Sequence, residues 1–225
     1  MNIVAIETAT SACAIGLRTS EREETRVLDL ERRHTEVLTP GIAALLDECA
    51  LTARDLDRVV IDVGPGLFTG LRVGVATAIG LAEGLGCDLV SVTSLELLAR
   101  GAALAGERGT VLAAVDGRRG EVFVQTFALG DDEVTATTSP TVTTARKVVI
   151  EWATNARPVT FTGDGVERYL RDFAAVPTAR VFDQHVPSLE AALALGATRE
   201  PTTKVTPLYL READAIANFT TRERS

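Results

Sequence analysis

The chain opens on two short apolar runs, Ile3 to Ile6 and Cys13 to Leu17, separated by the polar cluster Glu7-Thr8-Ala9-Thr10-Ser11. That pattern predicts a β-hairpin, with Thr25 to Leu30 as a third strand beside it. From Thr35 onward, Val37, Leu38, Ile42, Leu45, Leu46 and Cys49 recur at helical spacing. Pro40 falls inside the pattern and is expected to kink the helix or delay its first regular turn. Thr52-Ala53-Arg54-Asp55 has the form of a capping box, with Asp in place of the usual Glu, opening a short turn. Arg58 to Val63 reads as a buried strand, Gly64 to Gly70 as a glycine-rich loop, and the residues through Leu85 as a long helix. Leu89 to Val92 is a further strand, followed by a helix from about Ser94 to Ala105.

The Gly- and Ala-rich stretch Gly101 to Gly109 marks a boundary, because the pattern restarts beyond it. Val111 to Val115 predicts a strand, Gly117 to Gly120 a turn, Glu121 to Phe127 a second strand, and Val134 to Thr138 its partner. An amphipathic helix over Thr143 to Asn155, a strand over Pro158 to Thr162, and helices over Val166 to Phe173 and Leu189 to Leu195 complete the chain. The similar order of elements in both halves predicts an α/β protein of two related subdomains, residues 1–105 and 106–225, with a tail that can pack back on the first.

Composition narrows the function. The 225 residues are 46% hydrophobic and 24% charged, an ordinary folded profile. The formal charge of −8, with neither half basic, disfavours strong binding of nucleic acid by the chain alone. Cys13, Cys49 and Cys87 lack C-x-x-C spacing, so a disulfide framework and a zinc ribbon are excluded and buried reduced thiols are expected. Met1-Asn2-Ile3-Val4 carries no basic leader, and the apolar run Leu71 to Leu85 contains Arg72 and Glu83 and falls short of the ~20 residues that cross a bilayer. A cytoplasmic protein with no membrane contact is the expectation.

Candidate chemistry is sparse. His34 and His185 are the two histidines, too few and too far apart for a metal site or a hydrolytic triad. Gly64-Pro65-Gly66-Leu67-Phe68-Thr69-Gly70 joins a strand to a helix N-terminus, a junction that suits phosphate, with Gly64, Gly66, Thr69 and Gly70 as its candidate contacts. Its spacing is one residue longer than the dinucleotide fingerprint and it lacks the Gly-Lys-Ser/Thr ending of a P-loop, so a plain tight turn stands beside the phosphate reading. The following helix carries Gly70, Gly74, Gly80 and Gly84 among apolar residues that go nearly all the way round. Each interior glycine costs ~1 kcal/mol relative to alanine. Such a helix needs cover on more than one face, and a second protein is a plausible cover.

Several stretches together resemble one family. They are Ile3 to Thr8, Arg33-His34-Thr35-Glu36-Val37-Leu38-Thr39-Pro40, the block from Gly64 to Ala82, Val92 to Glu96, Asp116-Gly117-Arg118-Arg119-Gly120-Glu121 and Pro207-Leu208-Tyr209-Leu210-Arg211. In order and over nearly the full length they look like the TsaB (YeaZ) family of bacterial tRNA threonylcarbamoyladenosine biosynthesis proteins. Leu67, where that family usually has serine, and Gly117, where alanine is common, are departures; the first weakens any ligand role for a hydroxyl there. The resemblance implies the two-subdomain, actin-like and sugar-kinase-like ATPase fold and a non-catalytic role. The family's catalytic paralogue, TsaD, transfers a threonylcarbamoyl group to adenosine 37 of ANN-decoding tRNAs and holds its metal with two histidines four residues apart. Here Ser94 and Leu98 stand at the matching positions, and neither replaces an imidazole. ATPases of this fold place Asp-x-Gly at the first turn; here the turn is Glu7-Thr8-Ala9-Thr10, whose Cβ atoms crowd a phosphate.

The expectation is therefore a pseudoenzyme with no cofactor or metal of its own, ATP, ADP and metal belonging to partner subunits. It would bind TsaD through the helices at about 35–49 and 70–85, using His34, Val37, Leu38, Leu45, Leu71, Gly74, Val75, Ala78 and Ala82. The same face would pair two copies when TsaD is absent, TsaE would join the larger complex, and tRNA would be met only through it, with Arg32-Arg33 and Arg118-Arg119 as phosphate contacts. One rival is an active Mg-ATP-dependent phosphotransferase, with Glu7, Asp62 or Asp116 on the metal. A peptidase is a weaker rival, because the chain offers neither an activated nucleophile nor a histidine pair for a metal-bound water.

Overall fold

The computed structural model describes residues 1–28, 33–131, 133–155 and 157–211. The opening hairpin is present as β1 (Ile3–Glu7) and β2 (Ala14–Arg18), followed by β3 (Glu23–Val27). Leu30, the expected end of that third strand, lies outside the described residues. With β4 (Arg58–Asp62) and β5 (Asp88–Val92) these form a sheet in the order β3-β2-β1-β4-β5. The hairpin strands and β3 run antiparallel, while β1, β4 and β5 are parallel. Parallel strands are buried on both faces, which explains their unbroken apolar runs.

Period-two alternation sorts those side chains. Val4, Ile6, Val59 and Ile61 point to α1 (His34–Glu48) and α2 (Phe68–Leu85), meeting Leu38, Ile42, Leu45 and Val75. Ile3, Ala5 and Val60 point the other way, to α7 (Leu189–Thr198) and its Leu189, Ala192 and Leu193. Helix α1 runs continuously through Pro40, so the expected delay is absent; the proline sits exposed at the seventh position. Thr52 and Asp55 do form a capping box, on a single 3-10 turn over Ala53–Asp55. Helix α2 ends where Gly86 turns left-handed at φ 69°.

The second sheet comprises β6 (Gly109–Arg118), β7 (Glu121–Leu129), β8 (Val134–Ala136), β9 (Thr141–Thr144), β10 (Val159–Thr162) and β11 (Ala179–Val181), ordered β11-β10-β6-β7-β8 with β9 also on β7. One face packs on α3 (Ser94–Leu104) and the other on α4 (Ala145–Asn155), α5 (Asp164–Arg168) and α6 (Leu170–Phe173). The single helix expected over Val166 to Phe173 is broken at Tyr169, which leaves the helical region at φ −114° and ψ 32°. A division at 105 separates the two sheets but not the helices. Leu95, Leu98, Ala99 and Ala102 of α3 pack on the second sheet, while α7 returns to the first. Beyond α7 the chain first follows the first lobe, where Val205 and Leu208 join its core, and then reaches the second, where Leu210 packs. Cys13 is buried as expected, but Cys49 and Cys87 are half-buried, all three free. Among the described residues, no helix is long and apolar enough to cross a membrane.

Candidate functional site

The glycine-rich loop is occupied by the chain itself. Glu7 Oε1 accepts the Ala9 and Thr10 N–H groups, each at 2.9 Å, and so folds the hairpin turn down beside β4. In that position the Ala9 carbonyl accepts the Leu67 N–H at 2.6 Å, and the Thr8 hydroxyl donates to the Gly70 carbonyl at 2.9 Å. A Cβ at Gly66 would overlap the Ala9 carbonyl oxygen, one at Gly70 the Thr8 carbonyl oxygen, and one at Gly74 the Thr8 hydroxyl. These glycines admit the chain's own hairpin. Of the amides a phosphate would need, Gly64 N–H donates to Asp62 Oδ1 at 2.8 Å and Leu67 N–H to Ala9. Thr69 faces solvent on the first turn of α2.

The acidic residues do not converge on a cation. Glu7 and Asp62 are buried at the ends of β1 and β4. Burial, and then the neighbouring Asp62 carboxyl, push Glu7 well above the usual carboxylate range. Burial pushes Asp62 up to about 7. Asp116 belongs to the other sheet, where Arg118 and Arg168 approach its Oδ2 at 3.0 and 3.5 Å. Asp164, raised to about 6 chiefly by burial, accepts the Asp116 N–H at 2.9 Å. No group of three metal-ligating side chains forms among the described residues. Carboxylates already capped by amides and guanidiniums do not suit magnesium, which keeps near-octahedral oxygen ligands. Ser94 and Leu98 are likewise committed. Ser94 donates its hydroxyl to Asp62 Oδ1 at 2.9 Å, and Leu98 lies in the core under the second sheet.

The structure corrects the expected docking face. Leu38 and Leu45 of α1, and Leu71, Gly74, Val75, Ala78 and Ala82 of α2, all point into the chain's own core. The sheet and the hairpin turn already cover them, so they are not free for a partner. The outward face of α2 carries the exposed residues Thr69, Arg72, Ala76, Gly80, Glu83 and Gly84, and a Cβ at Gly80 or Gly84 meets none of the described residues within 4 Å. His34 and Val37 are half-buried at its edge. There a hollow of about 700 Å³ opens between the N-terminal ends of α1 and α2, lined by Arg33, His34, Leu67, Phe68, Thr69 and Val73.

A feature that the patterning did not single out adjoins this hollow. Leu208 N–H donates to the Val63 carbonyl at 2.7 Å, laying the 207–211 segment along α2. The Tyr209 ring packs on Phe68 at 5.0 Å, with the Arg72 guanidinium 3.7 Å over the Phe68 ring. Arg211 then crosses to the second lobe and pairs with Glu121 at 2.9 Å. Of the expected tRNA contacts, Arg32 lies outside the described residues, Arg33 is exposed, and Arg118 is drawn to Asp116. Arg119 also has an interaction within the chain.

Comparison with known proteins agrees with this architecture. The model of the family described as "TsaD: tRNA N6-adenosine threonylcarbamoyltransferase" matches residues 29–218. The tRNA threonylcarbamoyladenosine biosynthesis protein TsaB of Escherichia coli is 35% identical over 55% of this chain and 53% of its own length. This chain thus spans about half the length of the first curated relatives it matches. The TsaB of Bacillus subtilis is 28% identical over 97% of this chain and 98% of its own. Among solved structures, YeaZ from Pseudomonas aeruginosa superposes with a TM-score of 0.79 at 27% identity, covering 93% of this chain and 99% of the other. Two lobes of this topology, that superposition and a family model spanning most of the sequence agree: the fold is the actin-like, sugar-kinase-like α/β fold, and the chain belongs to the TsaD family, within it to the TsaB (YeaZ) group.

Proposed function

We propose that this protein is a non-catalytic subunit in the biosynthesis of threonylcarbamoyladenosine on tRNA, and that it binds a catalytic TsaD-type partner through the exposed face of α2 and the hollow beside it. The observation that carries the proposal is that α2 keeps glycine at 80 and 84, where none of the described residues comes within 4 Å of an added Cβ. Those positions forgo ~1 kcal/mol each without any internal packing reason, which makes sense if another backbone comes close. Phe68, Arg72 and Tyr209 supply aromatic and guanidinium anchors of the kind that dominate binding energy. The hairpin turn seated in the glycine-rich loop supports the absence of a nucleotide or metal held by this chain alone. In isolation the same face would pair two copies; TsaE and tRNA would join through the complex, in the cytoplasm.

The test is size-exclusion chromatography with light scattering on this protein mixed with a TsaD-type enzyme. Ala76→Trp and Gly80→Trp point outward and leave the fold intact, so both are expected to abolish the complex. Ile150→Ala, on the exposed far side of the second lobe, leaves it unchanged. An interface of about 1,200–2,000 Å² cannot absorb an indole at its centre. Folded Trp variants that still co-elute with the enzyme at full stoichiometry would remove the proposal.

A further inference from the structure

Glu7 ends β1 and Asp62 ends β4, and the parallel register that aligns Ile6 with Ile61 sets the two carboxyls side by side on one face of the sheet. They are 0% and 1% exposed. Their four oxygens are unequally served. Glu7 Oε1 accepts two backbone N–H groups, and Oε2 faces the Thr10 hydroxyl at 3.4 Å. Asp62 Oδ1 accepts from Gly64 N–H and the Ser94 hydroxyl. Asp62 Oδ2 is buried and accepts no hydrogen bond from the described residues, although the Ser94 N–H also acts on this carboxyl.

Nothing nearby compensates a charge there. The hairpin contributes Thr10 and the Cys13 thiol, itself pushed up to about 11 by burial and by Glu7. From α3 come Ser94 and the acidic Glu96. Helix α7 presents Leu189 and Leu193 to this face of the sheet, while its Glu190 engages Thr25 and Ser188. Among the described residues, none of the groups acting on either carboxyl is cationic. Two ionised carboxylates at adjoining strand ends would repel, and a charge on the buried Asp62 Oδ2 would lack a hydrogen-bond donor from the described residues. A proton on that oxygen resolves both problems.

We infer that Glu7 and Asp62 hold one proton between them, seated on Asp62 Oδ2 and directed to the Glu7 carboxylate, and that this proton bolts the closed loop shut. Glu7 holds the hairpin turn, and Asp62 holds Gly64 and the first residue of α3, so the pair ties three segments together at one point. Because burial raises both groups, Asp62 to about 7, the folded state binds the proton more tightly than the unfolded chain does. The stabilisation is complete below the unfolded carboxyl value and is lost as pH rises through about 7.

Infrared spectroscopy of the whole protein reads the proton directly. At about pH 6 the wild type is expected to show the carbonyl band of a neutral carboxylic acid, shifted in heavy water and bleached by about pH 9. Asp62→Asn and Glu7→Gln each keep the backbone acceptors and put an amide donor between the strands, and each is expected to remove that component. Asp164 contributes a band that survives both substitutions. The thermal midpoint of wild type should fall by at least about 3 °C relative to Asp62→Asn between those pH values. A wild-type band at about pH 6 that neither Asp62→Asn nor Glu7→Gln diminishes overturns the inference. Parallel pH profiles for wild type and Asp62→Asn also overturn it. So does a wild-type midpoint raised by magnesium or calcium but unmoved in Asp62→Asn, since a cation would then fill the place given to the proton.

Discussion

Helix α2 contains two kinds of glycine, and alanine substitution should separate them by sign. At Gly80 and Gly84 an added methyl meets open space, so Gly80→Ala gains the intrinsic helix preference of ~1 kcal/mol. For a chain of this size that raises the thermal midpoint by roughly 2–4 °C. At Gly74 the same preference is outweighed. The methyl would overlap the Thr8 hydroxyl and press on Ile61, forcing the hairpin turn away and straining the buried Thr8 to Gly70 hydrogen bond. Overpacking costs about 1–3 kcal/mol. A buried hydrogen bond left unmade adds about 1–3. After subtraction of the helix gain, Gly74→Ala should destabilise by about 1–5 kcal/mol. Gly70→Ala should cost more, because its obstacle is the Thr8 carbonyl, which cannot rotate away. Urea melts of the three single variants, with unchanged slopes, measure this. If Gly74→Ala and Gly80→Ala both stabilise, the hairpin turn does not rest on α2 and the argument for a filled loop fails.

Other consequences are simpler. Phe161 is buried edge-on between Trp152 and Phe173, so Phe161→Ala should cost about 3–5 kcal/mol in chemical denaturation, and a loss under about 1 would contradict that core. Asp164, raised to about 6 by burial, stabilises fully below its unfolded value near 3.8 and loses that contribution as pH rises through about 6. Asp164→Asn should flatten the profile across that window, whereas an unchanged slope in a pH series of thermal melts would refute the assignment. Tyr209→Ala should cost about 1 kcal/mol through the lost ring contact with Phe68. It should also weaken binding of a TsaD-type partner measured by titration; full affinity in a folded variant would take the 207–211 segment out of the docking surface.

The strands and long helices were legible because their periods are clean: β1, β4 and α2 stand close to where the apolar spacing puts them. Orientation of α2 was not. Leu71, Val73, Val75, Ile79, Leu81 and Leu85 ring the helix, and glycines fall on both sides, so no polar stripe marks its outside. What decides the matter is the approach of Thr8 and Ala9 from more than fifty residues away, which no local pattern encodes. For that reason Gly74 and Ala78, attractive in sequence as contact points, proved internal. Strands β9 and β11, Thr141–Thr144 and Ala179–Val181, are too short for a readable alternation and are held by edge pairing. The crossed packing of α3 and α7 was likewise invisible, because each helix is apolar enough to suit either sheet. The short polar turn Glu7-Thr8-Ala9-Thr10, by contrast, stands plainly in the sequence between two apolar runs, and the structure places it at the end of β1.

If the hairpin turn fills the loop in which a nucleotide's phosphates would lie, Mg-ATP has no room there, and isothermal titration of the isolated, folded protein tests this. No saturable heat is expected at ligand concentrations up to about 1 mM, with Gly66→Ala changing stability but not the titration. Saturable binding tighter than about 1 mM, lost when Gly66 or Gly70 is substituted, would contradict it.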